Sequence, residues 1–95
     1  MTDTLATLRA QFVERCRHDL IELSRGRADG DAFDSRVHRL AGAAGSFGFP
    51  DVSAAAGAVD RLIRRGDVPS SAEVEALVEA LERATGARNS RVDPA

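Results

Sequence analysis

Apolar residues recur every three or four positions in four separate segments of the chain, and no other feature constrains the fold as strongly. A stripe of this kind is the pattern of an amphipathic helix that buries one face. Strand-like alternation of apolar and polar residues is absent, so we predict an all-α fold. The first segment predicts a helix over residues 4–24, with a stripe formed by Leu5, Leu8, Phe12, Cys16, Leu20 and Leu23.

The next three segments show the same periodicity and predict helices over residues 31–46, 51–65 and 71–85. Asp31 is suited to cap the second helix, and Ser70 with Glu73 fits a capping box at the start of the fourth. Short connections between four such helices favour an antiparallel four-helix bundle with up-down-up-down topology. We expect a single domain over residues 1–87 and a flexible C-terminal tail over residues 88–95.

Composition argues against several classes of protein. A chain of 95 residues has one modest core, too small for a nucleotide-binding sheet with a separate substrate domain. Its formal net charge of −2 argues against a mainly electrostatic grip on nucleic acid or on an anionic membrane. No run approaches the roughly 18 apolar residues that a membrane span needs. The single cysteine cannot form an internal disulfide, which fits a reducing compartment, and we expect a cytoplasmic protein.

His38 lies on the polar face of the second predicted helix. At about 100° per residue, this histidine points away from the apolar stripe of its helix. That stripe consists of Phe33, Val37, Leu40, Ala44 and Phe47. Gly42 and Gly45 follow on the side of His38, and each costs about 1 kcal/mol relative to alanine in an exposed helix. The pattern suggests clearance for a partner, but helical glycines also serve packing and many exposed histidines have no function, so spacing alone leaves both interpretations open.

Residues 38–48 resemble the signature of histidine-containing phosphotransfer (HPt) domains. The family pattern is approximately His-x-Leu-Lys-Gly-x-Ala, followed by a glycine that closes the helix. The residues that match it are His38, Leu40, Gly42, Ala44 and Gly48. Ala41 stands where many members carry lysine, and Arg39 could supply a charge nearby. The resemblance covers about residues 5–84, nearly the whole predicted bundle.

The resemblance implies a phosphorelay carrier. Such a chain accepts a phosphoryl group on His38 from a receiver-domain aspartate or a histidine kinase, and passes it to another receiver domain. The implied partners are response-regulator receiver domains and a hybrid or separate histidine kinase. No cofactor is expected on this chain, because Mg²⁺ belongs to the receiver in this family. The sequence also has no glycine-rich phosphate loop after a strand, so we expect a carrier without its own ATP site, and not an enzyme.

A carboxylate beside the imidazole would hold it in the reactive tautomer, and the sequence offers two candidates. His38 lies eleven residues before Phe49 and Asp60 lies eleven residues after it, so the two meet if helices two and three turn there. Many family members carry glutamate or glutamine at the position of Asp60. Asp34, one turn before His38, is the alternative. Each also has an ordinary explanation: the helix dipole favours Asp34, and Asp60 can pair with Arg64.

We expect the docking surface for a receiver to surround His38. The residues predicted to form it are Ala41, Gly42, Gly45, Arg39 and Arg64. The three small residues would leave a smooth centre, and the two arginines would give a positive rim. Rim charges act mainly on association rate and partner choice. The alternative for the arginines at the end of helix three is a solvated helix face.

The other titratable candidates have ordinary interpretations. His18 lies on the polar side of the first helix and is expected to be solvated. Cys16 lies within an apolar stripe and is expected to be a small buried hydrophobe. No set of His, Cys or carboxylate residues has the spacing of zinc ligands, so we expect no metal site. We expect a monomer, and a free-standing protein because the chain begins with Met1 and ends in a polar tail.

Two other functions remain open from the sequence. A helical adaptor could bind a receiver or kinase domain without being phosphorylated, which would leave His38 incidental. The chain could also be a phospho-acceptor domain that works beside a histidine kinase core, as in the chemotaxis kinases. Acid-labile phosphate on the chain would distinguish the adaptor from the two phosphorylated forms.

Overall fold

The chain forms four α-helices, which are seen in a computed structural model that describes residues 4–25 and 30–86. The helices are α1 (Thr4–Ser24), α2 (Gly30–Ala43), α3 (Pro50–Arg64) and α4 (Ser71–Thr85). Helix α1 packs on α4, α4 on α3, and α3 on α2. The predicted all-α four-helix bundle is therefore confirmed, while the predicted tail over residues 88–95 lies outside the described residues. None of the four helices is long and apolar enough to cross a membrane.

One face of each helix contributes to a single hydrophobic core. Its largest fully buried side chains are Leu23, Leu40, Leu77, Leu81, Val37, Val52, Val59 and Cys16. The predicted stripe of α1 is wrong at its first two members, since Leu5 is 65% exposed and Leu8 is 45% exposed. Phe12 packs against the aromatic residues at the turn between α2 and α3, and Leu5 lies about 10 Å beyond it along the helix axis. The periodicity thus identified the correct face, but among the described residues the first two turns of α1 stay exposed.

Helix α2 differs from its prediction at both ends. It begins at Gly30, so Asp31 lies within the first turn and is not the N-cap, although its charge still suits the helix dipole. The α-helical hydrogen bonding ends at Ala43, and a 3₁₀ helix over Ala44–Phe47 replaces the last predicted turn. Gly48 then ends this segment in the left-handed conformation, with φ of 88°. A side chain is strained in that conformation, which explains why glycine ends the segment.

The turn at residues 48–50 reverses the chain between α2 and α3. The Phe49 N–H donates to the carbonyl of Ala44 at 2.9 Å, and Pro50 occupies the first turn of α3, where a missing N–H is harmless. The ring of Phe12 from α1 stacks on Phe47 and Phe49, with centroid distances of 4.8 and 5.9 Å. These contacts place the end of α2 and the start of α3 in a fixed relation to each other and to α1.

The start of α4 follows its prediction closely. The hydroxyl of Ser70 accepts from the backbone N–H of Glu73 at 3.2 Å, and the Glu73 carboxylate accepts from the backbone N–H of Ser70 at 2.9 Å. These two bonds are the predicted capping box, which satisfies two donors at the helix end. The hydrogen bonds from the Ser70 backbone and hydroxyl lower the pKa of the Glu73 carboxyl.

A buried carboxylate joins α1 to α2, and this feature was not predicted. Asp19 is only 2% exposed, and its Oδ1 atom lies 2.7 Å from Nη2 of Arg39 and 3.5 Å from Nε of Arg36. Its Oδ2 atom is buried and has no hydrogen-bond partner among the residues that the structure describes. A buried carboxylate is tolerated only when cations and donors compensate its lost hydration. The two arginines of α2 therefore stabilise Asp19 and hold α1 beside α2.

Replacing Arg39 by alanine removes the shorter of these two ion pairs. Loss of one partner leaves the Asp19 carboxylate buried with less compensation, so we expect the free energy of unfolding to fall by about 2 kcal/mol. Urea denaturation followed by circular dichroism measures this change. Arg25→Ala is the matched control, because Arg25 pairs with Glu22 on the surface at 3.2 Å and such pairs contribute about 0–1 kcal/mol. Equal losses of stability in the two variants would contradict a role for Arg39 in holding Asp19.

Candidate functional site

His38 projects into solvent from the middle of α2. Its side chain is 61% exposed, whereas Val37 and Leu40 on the opposite side of the helix are fully buried. The exposure predicted from the helical wheel is therefore confirmed. An imidazole at this position is open to a macromolecular partner, which a histidine in the core would not be.

Asp60 of α3 lies beside the imidazole. Its Oδ2 atom is 3.3 Å from Nδ1 of His38. Asp34, the alternative carboxylate, is half-buried on α2, and the structure brings Asp60 rather than Asp34 to the ring. The contact agrees with the equal spacing of His38 and Asp60 from the turn at Phe49. The orienting role of Asp60 stays a prediction.

Arg64 completes a cluster of three side chains. Its Nε donates to Oδ2 of Asp60 at 3.1 Å, as the spacing of four residues predicts. Its Nη2 lies 2.7 Å from Nδ1 and 3.1 Å from Nε2 of His38. Arg64 was predicted on the rim of a docking surface, and its direct contact with the imidazole was not predicted. The available signal was that Arg64 follows Asp60 by one turn, on the face of α3 that meets His38.

The electrostatics of the cluster keep Asp60 ionised. Its partial burial acts to raise the pKa of the carboxyl, but the hydrogen bonds from Arg64 and His38 outweigh this effect and lower the pKa below its ordinary value of 3.8. Asp60 therefore carries its negative charge throughout the neutral range. A permanently charged acceptor suits a role in holding a proton on the imidazole.

Small residues leave open space next to His38. Gly42 is exposed, and a Cβ atom built on it would meet nothing within 4 Å. Gly45 is also exposed, but it lies in the 3₁₀ helix, where a Cβ atom would touch the hydroxyl of Ser53 at 3.6 Å. Ala41 is half-buried, and its carbonyl accepts a hydrogen bond from the Ser53 hydroxyl at 3.0 Å. Of the predicted smooth centre, Gly42 and Gly45 are open to a partner, and Ala41 faces α3.

A shallow groove between α1 and α2 borders this open surface. Its volume is about 180 Å³, and it is lined by Leu8, Gln11, Phe12, Arg15, Arg39, Ala43 and Phe47. Arg39 is 41% exposed there, while its guanidinium is held by Asp19. The guanidinium of Arg39 is thus paired within the chain, with a carboxylate that it shares with Arg36.

The other sequence candidates occupy the places expected of them. His18 is exposed on α1, and Cys16 is fully buried. Burial raises the pKa of the Cys16 thiol to about 11, so it stays protonated and unreactive near neutral pH. Within residues 4–25 and 30–86, no group of three or more His, Cys, Asp or Glu side chains could hold a metal ion.

Fold and site together define a small helical domain that presents one histidine to a partner. The family model of the Hpt domain matches residues 3–87 of the chain. No curated protein and no solved structure matches the chain significantly. The chain therefore belongs to the Hpt domain family, whose general role is histidine phosphotransfer in phosphorelays together with receiver domains and kinases.

The charge on Asp60 can be tested by its titration. Because the pKa of Asp60 is lowered in the folded chain, its contacts add stability above the unfolded value of 3.8, and that stability is lost as the pH falls through the folded pKa. Carboxyl ¹³C NMR should give a titration midpoint below 3.8, and Arg64→Gln should raise this midpoint. Arg65→Gln is the control, because Arg65 pairs with Asp67 instead. A midpoint that Arg64→Gln leaves unchanged would contradict the assignment of the shift to Arg64.

Proposed function

We propose that this chain is a phosphorelay intermediate whose His38 accepts a phosphoryl group from a receiver-domain aspartate or a histidine kinase and passes it to another receiver domain. The observation that carries this proposal is the solvent-exposed imidazole of His38 in contact with the Asp60 carboxylate. A carboxylate that accepts from Nδ1–H leaves the lone pair on Nε2, where an electrophile can reach it. Membership in the Hpt domain family supports the assignment.

The transfer step can be written with this chain's own atoms. The lone pair of Nε2 attacks the phosphorus atom of the aspartyl phosphate, and a nitrogen–phosphorus bond forms. The bond between phosphorus and the aspartate oxygen breaks, which returns a carboxylate to the receiver. The proton on Nδ1 stays in place, so the phosphorylated ring is cationic, and Asp60 can accept a hydrogen bond from it.

Charge neutralisation is the second requirement of phosphoryl transfer, after positioning. Ala41 provides no charge at the place where many Hpt domains carry lysine. Arg64 provides one from the neighbouring helix, with Nη2 at 3.1 Å from Nε2 of His38. A guanidinium group binds phosphoryl oxygens well because its N–H groups form a planar fork. We assign to Arg64 the neutralisation of the phosphoryl group on His38.

The docking surface in this proposal extends from His38 across Gly42 to the groove beside Arg39. Gly42 leaves room for the edge of a receiver domain, and the apolar lining of the groove offers contact area. We expect Mg²⁺ to be bound by the receiver and no cofactor on this chain, which would act as a carrier without an ATP site. We further propose a monomer in the cytoplasm, since a single buried cysteine suits a reducing compartment.

Phosphorylation of His38 is tested directly with a phosphorylated receiver. We expect acid-labile, base-stable phosphate on the wild-type chain and its loss in His38→Gln. His18→Gln is the matched control, because His18 is the other histidine and is also exposed. Phosphate retained by His38→Gln would overturn the site. A wild-type chain that binds the receiver but never carries phosphate would instead be the unphosphorylated adaptor.

The clearance at Gly42 gives a second test. A leucine at this position should abolish transfer, because its side chain would occupy the space next to the imidazole, while the fold stays intact. Gly42→Ala is the control for helix propensity, and we expect it to raise the free energy of unfolding by up to about 1 kcal/mol. Transfer is measured in a time course with a phosphorylated receiver, and folding by thermal denaturation. Transfer by Gly42→Leu at the wild-type rate would show that no partner approaches over Gly42.

A further inference from the structure

The contacts of Nδ1 of His38 make conflicting demands on its proton. Oδ2 of Asp60, at 3.3 Å, can only accept, so it requires a proton on Nδ1. Nη2 of Arg64, at 2.7 Å, can only donate, so it requires a lone pair on Nδ1. A neutral imidazole has one protonated and one unprotonated nitrogen, and Nδ1 cannot satisfy both neighbours at once.

Each tautomer leaves Nε2 hindered or protonated while Arg64 stays in place. With the proton on Nδ1, Asp60 is satisfied, but Nη2 of Arg64 lies over the edge of the ring, 3.1 Å from Nε2, and hinders approach to that atom. With the proton on Nε2, Nδ1 accepts from Arg64 and Nε2 has no lone pair to offer. The lone pair of Nε2 is therefore crowded by the guanidinium in one tautomer and absent in the other.

We propose that Arg64 is a movable cover over His38, which shields the imidazole in the unphosphorylated chain and must leave the ring before the phosphoryl group can be accepted. Asp60 anchors the cover through the Nε atom of Arg64, at 3.1 Å. The arginine is itself largely exposed, so it can turn outward without breaking the packing of α3. An arriving phosphoryl group draws the guanidinium from the ring nitrogens onto its own oxygens. Arg64 is thus a positioning residue that acts on the tautomer and accessibility of His38.

This inference rests on the proposed function, because a cover matters only if His38 accepts a phosphoryl group. The contact between Arg64 and His38 can nevertheless be tested without any receiver domain. Diethyl pyrocarbonate acylates an unprotonated imidazole nitrogen and releases carbon dioxide and ethanol. The reaction of His38 is followed by mass spectrometry of peptides, with the exposed His18 on α1 as an internal reference. All variants are compared at one fixed pH, and the ratio of His38 to His18 acylation corrects for differences in reagent concentration.

We expect Arg64→Gln to increase the ratio of His38 to His18 acylation by about two- to tenfold, the range for removal of one exposed hydrogen bond. The matched control is Arg61→Gln, which removes an exposed arginine from the same helix and should leave the ratio unchanged. Long-range ¹⁵N NMR should show the ring of Arg64→Gln shifted toward the tautomer with the proton on Nδ1, because only Asp60 then remains at this atom. A merely structural role for Arg64 would not move this equilibrium.

The two reactions of His38 should respond in opposite directions. Acylation should accelerate in Arg64→Gln because the cover is gone, whereas acceptance from a phosphorylated receiver should slow because the phosphoryl charge is no longer neutralised. An acylation ratio and a tautomer equilibrium equal to those of the wild type would overturn the cover, whatever the phosphorylation result. Failure of the wild-type chain to accept phosphate would overturn the proposed function. The acylation ratio would still show whether Arg64 covers His38.

Discussion

The register between α2 and α3 is set by the chain reversal at residues 48–50, and the candidate site depends on that register. The left-handed Gly48 and the hydrogen bond from Phe49 to Ala44 fix where the turn falls. A shift of one residue along α3 would rotate Asp60 by about 100° away from His38. The aromatic packing on Phe12 secures the same turn against α1. The apolar packing around the turn at Phe49 thus determines the geometry of the polar cluster. His38 and Asp60 each lie eleven residues from that turn.

The sequence predicted the helices well because their limits are encoded locally. Gly48 and the capping box at Ser70 act within one turn of their own positions, and the bounds of α1 and α4 agree with their predictions. Burial was harder to predict, because periodicity identifies a face and says nothing about what covers it. Leu5 shows this limit. Asp19 is the opposite case, a charged residue that is buried. It follows Cys16 by three residues on the buried face of α1, and the arginines that compensate its charge come from a different helix.

Arg39 and Arg64 illustrate why a residue type alone does not predict a role. Both lie near His38, and the sequence placed both on the rim of a docking surface. The structure commits Arg39 to a buried carboxylate, where its loss removes charge compensation, and leaves Arg64 among exposed partners at the imidazole. The contact of Asp60 with His38 followed from helix register, which is a backbone property. The position of the Arg64 guanidinium depends on several side-chain torsions, and for that reason helical spacing could indicate its neighbourhood but not its partner.

Because Cys16 is buried, its thiol can report opening of the helix bundle. Its pKa of about 11 and its lack of exposure keep it silent toward thiol reagents in the closed bundle. It lies on α1 one turn before Asp19, so an opening in which α1 leaves α2 would expose the thiol and also break the ion pairs of Asp19. The rate of thiol labelling therefore reports how often the packing around α1 opens. The chain thus has an exposed histidine at its candidate site and a buried thiol whose labelling reports local opening of the helix bundle.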